Sequence, residues 1–124
     1  RSDFAATLAG LNLVRGEWRG ACVEAGGLRV FGEVAPPGPA PGERAIALFR
    51  PSSVAVFTSP PGGSLRNVLP VTVETLQTQG DRVRVSGGGL HADITPAAVA
   101  DLGLRPGDEV YFAAKATEVS IHRG

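Results

Sequence analysis

Two short stretches of this sequence carry the same chemistry. Arg50-Pro51-Ser52 and Lys115-Ala116-Thr117 each set out a cation, one spacer and a hydroxyl. On a strand, positions two apart point to one side, so each stretch predicts a charge and a hydroxyl converging on one ligand. Ser64, Arg66 and Asn67 add a hydroxyl, a guanidinium and a carboxamide in "GSLRNVLPV". Together the set has many donors and few acceptors, which suits a small anion. The bland alternative is a solvated strand face carrying ordinary surface cations.

The two stretches lie in a repeat. "GERAIALFRPSSVAVF" (42–57) aligns without gaps on "GDEVYFAAKATEVSIH" (107–122), setting Arg50 against Lys115, Ser52 against Thr117 and Val54 against Val119. Upstream, "NLVRG" (12–16) resembles "NVLPV" (67–71). Each copy, roughly 55–60 residues, is too small to bury much surface alone, so the copies must lean on each other or on a partner chain. The expected architecture is two small β-barrels in tandem, residues 1–63 and 64–124.

Strand signals dominate between these landmarks. "ACVEAGGLRVFGEV" (21–34) predicts two short strands turned at Ala25-Gly26-Gly27, where glycine adopts positive φ at little cost. "VTVETL", "DRVRVS" and "LHADIT" continue the pattern, with turns at Gln79-Gly80-Asp81 and Gly87-Gly88-Gly89. "APPGPAPG" (35–42) reads as a loop and "TSPPGGS" (58–64) as a linker. One short helix is signalled near 96–102: Thr95 fits its N-cap, Pro96 its first position and Gly103 its C-terminal cap.

Composition excludes several classes. The 124 residues hold twelve basic and twelve acidic side chains, so the net charge is zero. A sequence-independent nucleic-acid binder needs a positive surface. No apolar run approaches the ~20 residues that cross a bilayer, and nothing reads as a signal peptide. One cysteine, Cys22, forms no internal disulfide and fits a small buried hydrophobe. The opening "RSDFAATLAGLNL" and the lack of methionine suggest a piece of a longer protein.

Other residues carry weaker signals. Gly87-Gly88-Gly89 lacks the Lys-Ser/Thr and helix of a phosphate loop. His91 and Asp93 share a strand face, but two ligands do not close a zinc site, so no metal is expected. His122 reads as a surface residue near a frayed end. Trp18 and Phe31 fit core or interface packing better than base stacking. No nucleophile–base set or carboxylate pair is arranged for catalysis.

The stretch "GSLRNVLPVTVETLQTQGDRVRV…LHADITPAAVADLGLRPGDEVYFAAKATEVSIH" resembles the molbindin or TOBE (MOP-like) module. The likeness rests on the Ser-x-Arg-Asn start, the Ile-Thr approach to a helix, "LRPGDEV" and the closing "KATEV". "FAATLAGLNLVRG" resembles the segment entering this module from the ATPase domain of importer subunits. The resemblance implies an all-β fold of tandem oligonucleotide-binding-like barrels that pair between subunits as a homodimer. It implies a molybdate or tungstate ligand, no cofactor, and a site formed by Ser64, Arg66, Asn67, Lys115, Ala116 (through backbone amides) and Thr117. Arg50 and Ser52 would form a second site, in which Pro51 removes a backbone donor; Val71 stands where the family often has glycine. The implied role is a C-terminal regulatory domain of an ABC importer ATPase of the molybdate type. It would sense cytoplasmic oxyanion and restrain transport beside the parent ATPase domain and the membrane permease subunits. Such a domain lacks ATPase motifs, does not enter the membrane and binds no nucleic acid. The alternative is a structural TOBE dimerisation module of a sugar, metal or polyamine importer.

Overall fold

Glycine turns and alternating apolar residues break the chain into short strands. The computed structural model describes residues 9–63 and 66–124, Arg66 through its backbone alone; Ser64 and the entry segment before residue 9 lie outside the described residues. The first copy supplies β1 (Asn12–Trp18), β2 (Val23–Ala25), β3 (Leu28–Val30), β4 (Glu33–Val34), β5 (Arg44–Phe49) and β6 (Ala55–Phe57). The second supplies β7 (Arg66–Thr72), β8 (Thr75–Gln79), β9 (Arg82–Gly87), β10 (Leu90–Ile94), α1 (Pro96–Leu102), β11 (Glu109–Lys115) and β12 (Ser120–Arg123). This is the all-β, oligonucleotide-binding-like architecture that the sequence predicts.

Local chemistry explains the turns and the helix. Gly26 and Gly27, at φ +56° and +84°, close the β2–β3 hairpin, and Gly88 and Gly89, at +59° and +79°, close β9–β10. The Thr95 hydroxyl accepts the Ala98 amide at 3.0 Å, Pro96 opens α1, and Gly103 ends it in the left-handed region. One expected strand, "VTVETL", is interrupted. The Val73 amide donates to the Asp108 carbonyl, whereas the Glu74 amide donates to Ser86, so the chain leaves β11 for β9 between β7 and β8.

The two copies exchange their last strands. β12 pairs antiparallel with β5, and parallel with β4, inside the six-stranded order β3-β2-β1-β5-β12-β4. In return β6 pairs with β11 in the order β6-β11-β7; β8, β9 and β10 form a third sheet. The apolar interior is continuous across the exchange. Trp18, Val23, Ala47 and Phe49 of the first copy cluster with Leu69, Val85, Phe112 and Ile121 of the second. Burying each of the larger side chains stabilises the fold by about 1.5–3 kcal/mol. Trp18 and Cys22 belong to the interior, Phe31 is 42% exposed, and His122, expected at a frayed end, is half-buried in the doubly paired β12.

Two buried asparagines lock the copies further. Asn12 and Asn67, the aligned first residues of "NLVRG" and "NVLPV", are 1% and 3% exposed. Asn12 Nδ2 donates to the His91 carbonyl at 2.9 Å, and its Oδ1 accepts the His91 amide at 2.8 Å. Asn67 does the same to Phe31, at 2.8 and 2.7 Å. Each carboxamide therefore grips a backbone amide–carbonyl pair in the opposite copy.

Candidate oxyanion site

The repeat seen in the sequence is a repeat in space. β5 and β11 each run out into an extended cation, Arg50 (φ −78°, ψ 143°) and Lys115 (φ −67°, ψ 142°). A single 3-10 turn follows each, Pro51–Ser53 and Ala116–Glu118, and ends in extended Val54 and Val119. The hydroxyls Ser52 and Thr117 thus lie on turns, not on strands as the period-two spacing predicts.

The two turns meet, and they sort the donors crosswise. A cavity of about 420 Å³ is lined by Lys115 together with Ser52 and Ser53 of the other copy, and by Glu118. A second, of about 360 Å³, is lined by Arg50 together with Thr117 of the other copy, and by Leu11, Glu33 and Glu118. Each cation therefore faces the hydroxyl of the opposite repeat. Ser53 and Glu118, aligned positions of the two turns, touch directly: Ser53 Oγ donates to Glu118 Oε1 at 3.1 Å. Among the described residues neither Lys115 nor Arg50 pairs with a carboxylate.

The cavities are not equivalent. Arg66 stands directly opposite Lys115 at the end of the β7–β11 ladder, so two cations share one strand end. In the first copy the residue before Asn12 is Leu11, which lines the second cavity beside Arg50. Pro51 also removes one amide that Ala116 keeps. Asn67, adjacent to Arg66, is committed to Phe31 through one amide hydrogen and its oxygen; the NH₂ group carries a second hydrogen. Ser53, Glu118 and Glu33 escape sequence reasoning, although the repeat already aligns Ser53 with Glu118, one place beyond the hydroxyls.

The remaining candidates resolve into structural pairs. The Arg84 guanidinium grips Asp93 with two hydrogen bonds, 2.8 and 2.9 Å. Those bonds hold the Asp93 carboxyl below its ordinary range, against the opposing effect of partial burial. His91 Nδ1 lies 2.7 Å from Ser86 Oγ. Among the described residues no group of three or more His, Cys, Asp or Glu is placed to hold a metal ion, and no helix is long and apolar enough to cross a membrane.

The chain is similar to several known proteins. The TOBE domain family matches residues 63–121. The molybdenum import ATP-binding protein ModC of Mycobacterium tuberculosis is 40% identical over 131 aligned positions, covering 98% of this chain and 35% of that protein. The molybdate/tungstate import ATP-binding protein WtpC of Pyrococcus horikoshii is 32% identical over 77 positions, covering 59% of this chain and 22% of that protein. The chain thus spans about a third or less of these curated relatives, and the ModC likeness lies in the C-terminal TOBE region, outside the ATPase region. Among solved structures, the cytoplasmic molybdate-binding protein ModG, with molybdate bound, superposes with a TM-score of 0.74 at 24% identity, covering 91% of this chain and 96% of that one. That likeness establishes the fold. Through residues 63–121, and through its homology to the C-terminal region of molybdenum import ATP-binding proteins, the chain belongs to the TOBE domain family.

Proposed function

We propose that this chain is the regulatory oxyanion-binding domain of an ABC importer ATPase subunit, with molybdate or tungstate as its ligand. The observation that carries the reading is the register of Lys115 opposite Arg66. Like charges directly opposite on a ladder are destabilising, and a dianion between them turns the repulsion into two charge-assisted contacts. Ser52 and Ser53 line the cavity beside Lys115 and supply neutral donors, so a tetrahedral oxyanion there meets donors from both copies. Ser64, the second amide hydrogen of Asn67 and the backbone amides around Ala116 complete the donor set. Thr117 serves Arg50 in a weaker second site with Ser52's copy. The names of the ModC, WtpC and ModG relatives support the ligand class.

In this reading the two repeats, residues 1–63 and 64–124, each provide half of both sites. The domain pairs with a second copy in the parent transporter, beside the ATPase domains and permease subunits at the cytoplasmic face of the membrane. There it senses oxyanion and restrains transport. Calorimetric titration with molybdate, tungstate and sulfate tests the ligand: micromolar or tighter binding of the first two, with sulfate weaker, is the expected result. Absence of heat with all three refutes it. The second reading, a structural TOBE dimerisation module of a sugar, metal or polyamine importer, is favoured by one observation: the Asn67 carboxamide is already engaged by Phe31. Under that reading none of the three anions binds.

A further inference from the structure

We propose that Glu118 couples the two cavities, so that a dianion at Lys115 and a dianion at Arg50 exclude one another. The inference rests on the oxyanion reading above and goes beyond it. Glu118 borders both cavities, and among the described residues no other residue lining the first also lines the second. It stands where the turns of the two copies meet, bonded to its own aligned counterpart Ser53. At that shared position the first copy has a neutral hydroxyl and the second a carboxylate.

Charge then decides which cavity fills. The first sets Lys115 against Glu118, whereas the second sets Arg50 against both Glu33 and Glu118. A dianion beside Lys115 repels the Glu118 carboxylate. That side chain is exposed and borders a second cation, so it moves toward Arg50. Its departure frees the Ser53 hydroxyl to donate to the anion in the first cavity. Arg50, now facing two carboxylates, no longer attracts a second dianion. The same carboxylate therefore weakens the first site when that site is empty and closes the second when the first is full. Its removal affects both: even with water-like screening, one carboxylate ~6 Å from a dianion lowers affinity about tenfold.

Glu118→Gln is the discriminating variant, since the amide oxygen still accepts from Ser53 and an exposed side chain is replaced by an isostere. Molybdate titrations by calorimetry and equilibrium dialysis would compare the wild-type chain, E118Q and the double variant K115A/E118Q, with urea midpoints confirming that each is folded. The expected result is one molybdate per wild-type chain and two per E118Q chain, the first bound about tenfold tighter. The double variant keeps one. Equal stoichiometry and affinity in wild type and E118Q overturns the coupling while leaving the oxyanion reading intact, as does a wild-type chain that already binds two molybdates independently. No molybdate binding by any of the three overturns both.

Discussion

Asn67 and Phe31 exchange two hydrogen bonds, one from the carboxamide nitrogen to the Phe31 carbonyl at 2.8 Å and one from the Phe31 amide to the carboxamide oxygen at 2.7 Å. The side chain mimics a neighbouring strand: it satisfies a backbone donor and acceptor just beyond β3, where the ladder has ended. Asn12 and His91 repeat the arrangement from the opposite copy, so the copies hold each other by the same residue type at aligned positions.

Replacing either asparagine should therefore cost far more than a surface change. Asn67→Ala leaves a part-buried amide and carbonyl without partners, an expected loss of about 2–4 kcal/mol. Asn12→Ala should match it within about 1 kcal/mol, because the geometry is the same. Urea denaturation with an unchanged m-value measures the loss. A change under ~0.5 kcal/mol in either variant would mean that the grip is incidental.

For the anion, the order of two effects is the test. Lys115→Ala should weaken molybdate binding by about 10–150-fold, the range for losing a hydrogen bond to a charged group. Arg50→Ala should cost less, because Leu11 stands in place of a second cation, Pro51 lacks an amide and Glu33 lines the cavity. Equal losses in calorimetry would show that the cavities bind alike.

Gly16 and Gly87 are required by close backbone approach. A Cβ on Gly16 would overlap the Glu24 carbonyl oxygen, and one on Gly87 would overlap that of Thr72. Both mark the crossing of a copy's first strand with its following hairpin, the glycine lying on the first strand in one copy and on the hairpin in the other. Gly16→Ala and Gly87→Ala should each destabilise by about 1–3 kcal/mol, as overpacking does, while Gly62→Ala, with open space around it, should change little. Thermal melts of the three variants decide the point.

The Arg84–Asp93 pair predicts a pH dependence of definite sign. Hydrogen bonding to Arg84 lowers the Asp93 carboxyl in the folded state. Its stabilisation is therefore fully present above the unfolded value of ~3.9 and is lost as pH falls through the lower folded value. Wild type should exceed Asp93→Asn by ~1 kcal/mol from about pH 5 upward, the scale of a partly exposed ion pair. That gap should close progressively below about pH 4. A gap unchanged down to about pH 2 would place the effect of the substitution elsewhere.

What the sequence disclosed was local. Thr95, Pro96 and Gly103 declare α1 because capping involves residues within one turn of each other, and Gly26-Gly27 declares its hairpin because positive φ is a single-residue property. The gapless alignment of Arg50 with Lys115 foretells matching turns. Pairing partners are another matter: nothing in "SVAVF" says that its strand joins β11 and not β5, since period-two alternation fixes a face and not a neighbour. The crosswise cavities follow from that exchange, so the cations and hydroxyls were visible while their true companions were not. Asn67 shows the same limit: the carboxamide reads as a ligand donor, and the Phe31 backbone that it also grips is not visible in the sequence.

The exchange of β6 and β12 separates what is recognised as a module from what can fold as one. The family match runs over residues 63–121, yet within that stretch β12 has neither of its neighbours, β5 and β4, and β11 lacks β6 on one side. Such bare edges invite pairing with whatever strand is near. A lone module of this kind is half of a handshake and must recruit a second copy before it can cover its own backbone. Here the duplication delivers that second copy on the same polypeptide, turning an encounter between molecules into the closing of a loop.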